Sequence, residues 1–469
     1  MIHHLASRLF LTHIIVLMPA TMLAYPANME SEREKVQVVY IKSGEYQSAA
    51  AKKTDPEIPP SIDGVWPMIR TLVEVTIDEE GNVVDALPLI GSSLLAKATQ
   101  TAALQWKFRP YRISGKPVRV ITGIWFSLGF PDPLEGQPRS SWIDIAQKQL
   151  ENNPQSAVAL YNIGYVYERG NNYQKADEWF KKAISQAPSW ALAHQGLGEA
   201  YYGMRQYNEA LECFQRAIQL QPDYFSAYLH SGWCLVRLRR EAEALQFFLK
   251  ASEVAIKAKD KMAAYQNISS SYRDLGKLEE SVDADSKIAD YAWRIHQICG
   301  EELTYVSEEA ISVALKYEKL GKTEKAIAYY RRAIEAKPER EAALRARLIL
   351  AALHKKQGRQ TEAEGLLNEL VALSDAALKD HQAAKDDYNI SNCYFWRGCA
   401  REALGQNQAA LEDLKNAIKH NRSWGEPHLH LGYLYQKLGD VKSAVKEFRL
   451  SQMVDDDFIR QVESQGKSN

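Results

Sequence analysis

Between residues 157 and 451 apolar side chains recur three and four apart, the spacing of a helix with one buried side. That pattern itself returns every 34 residues. One unit sets Leu160, Ile163, Gly164, Tyr167, Ala176, Phe180, Ala183 and Pro188 at fixed offsets. Thirty-four residues on stand His194, Leu197, Gly198, Tyr201, Ala210, Phe214, Ala217 and Pro222, followed by Tyr228, Gly232, Leu235, Ala244, Phe248 and Ala251. Near the end, Tyr394, Gly398, Ala410, Leu414 and Ala417 are answered by His428, Gly432, Ala444, Phe448 and Ser451. With weaker copies around Gly276, Gly321 and Gly358, the pattern predicts eight helical hairpins starting near 157, 191, 225, 262, 307, 344, 391 and 425. Small residues at the glycine and first alanine positions let the two helices of a hairpin approach. The aromatic positions then fill the groove between neighbours. Residues 142–154 read as an extra leading helix, and the longer gaps near 296–306 and 378–390 as lengthened helices or bends.

The first third of the chain has another period. Leu72 to Ile77 alternates apolar and polar, as a half-buried strand does, and Asp78 to Asn82 supplies a turn with Gly81 free to take positive φ. Residues 83–87 return as a second strand, 93–106 form a helix ended by Pro110, and 118–128 form a third strand. Residues 25–61 and 131–141 read as linkers, the first with one short strand over 36–41, and 461–469 as a tail. At the start, Arg8 precedes a sixteen-residue apolar run over 9–24, interrupted by His13 and Pro19 and short for a bilayer span. Residues 1–24 are expected to be an export signal, cleaved after Ala24 or retained as a short anchor, which places the rest in the periplasm or cell envelope.

Two resemblances follow from these residues. The strand and turn from Val75 to Val83, the helix end from Ala102 to Pro110 and the Gly115-Lys116-Pro117-Val118 turn resemble the C-terminal domain of TonB-type energy transducers, over residues 62–130. That resemblance implies an envelope protein whose last strand pairs with an extended segment of a partner, here through Val118, Val120, Ile121, Ile124, Phe126 and Leu128. The family's Tyr-Pro and Ala-Arg pairs are replaced by the stretch from Ile62 to Arg70, and its Ser-x-x-x-His motor contact is missing. Residues 142–460 resemble the tetratricopeptide repeat, which implies a mainly α fold, a solenoid forming a right-handed superhelix of hairpins, preceded here by the small α+β domain. In that family the second, fifth, ninth, twelfth and thirteenth residues of helix A line the concave face. The fifth and ninth here are Tyr161, Tyr165, Gln195, Glu199, Leu229, Trp233, Phe395, Cys399, Leu429 and Tyr433, with Tyr202 at a twelfth. These aromatics are either anchors for a peptide or half-buried packing residues.

Composition narrows the function. With 58 Lys and Arg against 59 Asp and Glu, a net charge of −1 gives no footprint for nucleic acid. Of five cysteines none forms a CxxC pair; Cys213 and Cys234 fall on elements that pack together, as a disulfide or as buried thiols. His428 and His430, two apart, do not share a helix face, and no nucleophile elbow, phosphate loop or metal motif occurs. No cofactor, metal or small-molecule substrate is expected, and no unassigned stretch is long enough for a catalytic domain. The reading is a non-enzymatic envelope scaffold that binds peptides or other envelope proteins. The alternative is a transducer energising transport through an outer-membrane receptor, which requires residues 1–24 to persist as an inner-membrane anchor.

Overall fold

The computed structural model describes residues 38–41, 46–57, 71–126, 139–299, 306–336 and 341–466. The export signal expected at 1–24 lies outside them. The chain divides into two compact units, residues 1–303 and 304–469, so the small α+β module shares a unit with the first hairpins.

In the first unit, strands β1 (Val38–Tyr40), β2 (Ala50–Lys52), β3 (Thr71–Ile77) and β4 (Val83–Ile90) precede helix α1 (Ala96–Leu104). Strands β5 (Lys107–Phe108), β6 (Arg112–Ile113), β7 (Lys116–Pro117) and β8 (Arg119–Phe126) follow it. The main sheet has the order β1-β8-β3-β4. Val73, Val75 and Ile77 of β3 and Val120, Ile124 and Phe126 of β8 point to the α1 side, where they pack with Ala102, Ala103 and Trp106. The expected helix over 93–106 is shorter, opening with a 3₁₀ turn at Ser93–Leu95, and Leu104 is exposed rather than part of its apolar side. At the β3–β4 turn Gly81 takes φ +87°, and a Cβ there would lie 2.1 Å from the Phe108 carbonyl oxygen. Only glycine fits.

Two expectations are corrected here. The last strand is not an edge: β8 pairs with β3 on one side, and with β1 in parallel on the other through Val38–Arg119, Val39–Val120 and Tyr40–Ile121. Beyond β1, the Gln47 side-chain amide meets Trp125 at both its backbone N–H (3.4 Å) and its C=O (3.3 Å), in the manner of a strand partner. Val118, Val120 and Ile124 are buried, so strand addition along β8 is blocked by the chain's own residues. Nor is the region 25–61 a linker throughout. Tyr46 stacks on Phe108 with ring centroids 5.6 Å apart, and the Trp106 indole donates to the Thr54 carbonyl at 2.8 Å.

Helix α2 (Arg139–Asn152) leads the hairpins and packs on the first of them. These are α3 (Ala157–Arg169) with α4 (Tyr173–Gln186), α5 (Ala191–Gly203) with α6 (Tyr207–Leu220), α7 (Phe225–Arg237) with α8 (Glu241–Val254), and α9 (Ala258–Asp274) with α10 (Leu278–Cys299). The second unit holds α11 (Val306–Lys319) with α12 (Thr323–Ala336), α13 (Glu341–Lys356) with α14 (Gln360–Ala384), α15 (Asp387–Ala403) with α16 (Asn407–His420), and α17 (Gly425–Lys437) with α18 (Val441–Gly466). The gap expected to lengthen helices near 378–390 does so: α14 runs 25 residues where α12 runs 14.

Each hairpin turns through one left-handed residue: Asn171, Arg205, Arg239, Gly276, Gly321, Gly358, Gly405 and Gly439. The next residue's N–H returns to a carbonyl five back, as in Gln206 to Tyr201 (2.9 Å) and Gln406 to Arg401 (2.8 Å), closing the helix end. Arg205 at φ +62° and Arg239 at φ +61° hold a conformation that costs a side chain and suits glycine. Replacing either, as Arg205→Gly or Arg239→Gly, should therefore raise stability by about 0.5–1 kcal/mol, the residual after glycine's greater entropy loss. A higher urea midpoint with unchanged slope is the expected readout.

Candidate functional site

The first helix of each hairpin carries one face into the core and turns the other outward. At its ninth position α3 places Tyr165, α5 places Glu199 and α7 places Trp233, all half-buried. Hydrogen bonds run from helix to helix along this line. Gln195 Nε2 donates to Glu199 Oε1 at 2.9 Å, and His230 Nε2 of α7 lies 3.7 Å from the same carboxylate. The Trp233 indole donates to Asn267 Oδ1 of α9 at 2.8 Å, while Asn267 donates onward to the Ala263 carbonyl. Arg237 Nε donates to the Tyr202 hydroxyl at 3.3 Å, tying α7 to α5. The His230 ring stands edge-on to Trp233 with centroids 4.7 Å apart and is fixed by the Ser226 carbonyl. Between these groups Glu168 is pushed up to about 7 by burial and by the neighbouring Glu199 carboxylate, against the opposing pull of Arg169.

The sequence-predicted residues divide sharply. Tyr165, Glu199, Tyr202 and Trp233 come together on this surface. Tyr161, Leu229 and Phe395 do not line it; they are buried, and so are Gln195 and Cys399. For Tyr161 and Phe395 the cover is an aromatic residue just ahead of the next hairpin: Trp190 lies 5.2 Å from Tyr161, and Trp424 lies 4.5 Å from Phe395, ring to ring. Leu229 is enclosed in the cluster of Phe214, Phe225 and Phe248. In the second unit Tyr433 is exposed, leaning edge-on against Phe448, and Leu429 is partly so. Counting along the helix missed Glu168, His230 and Asn267. Glu168 stands at a twelfth position and was readable; His230 and Asn267 act across helices and carry no local signal.

The α+β module reaches the same helices. Leu95, fully buried, belongs to one apolar cluster with Tyr161, Leu192 and Tyr224, and Leu94 packs against it. Behind them Lys257 Nζ donates to the Gly91 carbonyl (2.8 Å) and Ser93 Oγ (2.9 Å) and pairs with Asp260 at 3.0 Å. On the sheet's other face buried Glu74 pairs with Arg294 of α10, and Tyr40 stands edge-on to Trp293. Elsewhere, Cys213, Cys234, Cys393 and Cys399 are free thiols, and burial pushes Cys213 and Cys234 up to about 12. His428 is buried and hydrogen-bonded through Nδ1 to the Glu447 carboxylate at 2.7 Å. Among the described residues no group of three or more His, Cys, Asp or Glu is placed to hold a metal, and no helix is long and apolar enough to cross a membrane.

These hairpins define a helical-repeat protein that presents surface for recognition. Models of the tetratricopeptide repeat match residues 157–190, 191–224, 313–340 and 426–458, so the chain carries such repeats in both units. Among solved structures it is similar to YrrB, described as a tetratricopeptide repeat protein with an unusual peptide-binding site, at 22% identity over 44% of this chain and 98% of that one (TM-score 0.30). It is also similar to MamA, at 23% over 36% and 98% (0.32), and to a thermophilic repeat protein of Thermus thermophilus, at 20% over 38% and 91% (0.31). No curated protein matches the chain.

The module's attachment is open to a direct measurement. Lys257→Met leaves the Asp260 carboxylate buried without its cation, and breaking such a pair should cost about 3–5 kcal/mol. Adding Asp260→Leu should recover part of that loss, a coupling read from a double-mutant cycle of urea unfolding.

Proposed function

We propose that this chain is an exported, non-catalytic scaffold whose first unit holds a segment of a partner protein along the outward faces of α3, α5 and α7. Tetratricopeptide repeats bind peptides or proteins, and the observation that carries this reading is the row of Tyr165, Glu199 and Trp233. Bonds or ring contacts to neighbouring side chains fix these three residues, so little rotamer freedom is left to lose on binding. Two carboxylates among aromatic rings fit a segment with a basic side chain, which pairs with Glu168 and Glu199 and lies over Tyr165 or Trp233. The apolar run at 9–24 supports export, and the resemblance of residues 62–130 to transducer domains supports an envelope compartment. The module's part in this reading is to brace the array through Leu95 and Lys257 rather than to recruit a strand.

Binding of a fluorescent Lys- and Arg-containing decapeptide to the purified chain tests the groove. Tyr165→Asp and Trp233→Asp should each weaken it by about tenfold or more, as loss of an aromatic anchor does, with helicity unchanged. The affinity has a predicted pH dependence. Below neutrality Glu168 is protonated and offers no charge; as it ionises, between about pH 6 and pH 8, binding should tighten. Glu168→Gln should flatten that profile. Equal affinity in all variants would overturn the groove. For export, N-terminal sequencing of the protein from fractionated cells should find the chain beginning near residue 25.

A further inference from the structure

We propose that the outer face of α18 in the second unit is a self-association surface, covered when a second copy of this chain lays its own α18 across it antiparallel. Elsewhere in the array the equivalent face is covered. In four hairpins that another follows within the same unit, the sixth residue past the left-handed turn residue is aliphatic and buried: Leu211, Leu245, Ile327 and Leu411. The next hairpin's first helix shares their apolar clusters, through Phe225 and Leu229 of α7 with Leu211, and through Leu431 and Leu434 of α17 with Leu411. Val445 holds that position in α18 and is 42% exposed.

The exposure continues along the helix, where Val441 and Met453 are open as well. These three residues, spaced by four and by eight, form a row one helix wide, which a single helix fits. Terminal repeats of a solenoid keep a polar outer face for solubility, so an open aliphatic row on the last of the described helices departs from that rule.

Charge identifies the helix that fits. Lys442, Lys446 and Arg449 flank the row and are exposed. The one acid between residues 441 and 453, Glu447, instead accepts from buried His428 at 2.7 Å, and Asp440 just ahead accepts from the Ser443 N–H at 3.1 Å. A copy laid parallel would set these cations against one another. The second half of α18 has the opposite sign in its sequence, with Asp455, Asp456, Asp457 and Glu463 against Arg460. An antiparallel copy therefore sets each basic half along the other's acidic half. It also repeats the array's own arrangement, in which a short connection makes each helix run opposite to the one that follows and covers it. The two-fold axis then passes midway between the basic stretch 442–449 and the acidic stretch 455–463, near residue 452, and Met453 meets its own copy. Val441 lies about 17 Å along the helix from that axis, so about 35 Å from its counterpart. A helix pair about 39 Å long is a small interface of the kind that associates weakly.

Sedimentation velocity of the full chain over about 1–200 µM, the range suited to a small interface, tests this surface. The sedimentation coefficient should climb from monomer to dimer with concentration. Val445→Glu should hold the chain monomeric throughout. Lys446→Glu should weaken the dimer about fivefold or more, because the symmetry applies each substitution twice, and adding Asp456→Lys should recover most of that loss. Under mild oxidation Met453→Cys should cross-link two copies well above the wild-type level, and Val441→Cys should not. A chain that stays monomeric at every concentration, or a dimer untouched by both Val445→Glu and Lys446→Glu, overturns the surface. Equal cross-linking through 441 and 453 overturns the antiparallel arrangement. A monomeric chain that sediments with phosphatidylglycerol vesicles assigns the face to a membrane and overturns the second copy. Circular dichroism verifies that the variants keep their helicity. Tyr165→Asp should leave self-association unchanged, which separates this face from the groove of the first unit.

Discussion

An aromatic ring seated on a bare stretch of helix backbone sets the spacing on which half of these hairpins depend. Phe180 of α4 lies against Gly164 of its own hairpin and Gly196 of the next, where an added Cβ would come within 2.9 and 2.6 Å of the ring. Phe214 meets Gly198, Phe248 meets Gly232 and Phe448 meets Gly432 in the same way. Interiors packed this densely do not yield a methyl group without moving a helix. Because the ring fixes which side of the first helix faces inward, it also fixes which residues are turned outward. The ninth-position row is thus a consequence of the glycine that stands just before each of its residues, Gly164 before Tyr165, Gly198 before Glu199 and Gly232 before Trp233.

Where the glycine and phenylalanine are absent, another interaction holds the helices. Aligned on the left-handed turn residue, the fourth hairpin has Ser269 in place of the glycine and Ser281 in place of the first alanine, and their hydroxyls are 3.0 Å apart. A buried hydrogen bond satisfies both groups there. In the second unit Leu414 replaces the ring opposite Gly398, and a Cβ on that glycine would have 3.2 Å of clearance from it. Packing is looser at that hairpin, and charge supplements it: Arg397 and Arg401 both grip the buried Asp413.

These regularities explain what was legible in the sequence. The hairpins were, because the glycine, alanine and aromatic positions are set by contacts inside one repeat. Helix α1 and the β3–β4 turn were, since both are local. The fate of the β8 edge was not: β1 is three residues long and pairs across some eighty residues of chain, and such a strand has no periodicity of its own. Tyr161 and Phe395 were misplaced for a related reason. Their position on the helix is the one that faces a groove, but Trp190 and Trp424 arrive from the loop beyond and cover them. The period gives a residue's direction, and only the neighbouring loop decides whether water reaches it.

The departures from the period are where particular chemistry enters. Gly276 falls three residues later than the 34-residue spacing from Arg239 would put it, and α9 is correspondingly long. The start of α9 supplies Asp260, which with Lys257 just before it anchors the α+β module, and Asn267 further along receives the Trp233 indole. In α14 the extension supplies Ser374, Ala377 and His381 to the wall of a cavity between α13 and α15. A repeat built only from its consensus presents the same surface at every step, and so has no means of distinguishing one partner from another. Insertion lengthens a helix beyond the contact that holds its hairpin together, a serine pair in the fourth, so each added turn is free to carry side chains that the packing does not need.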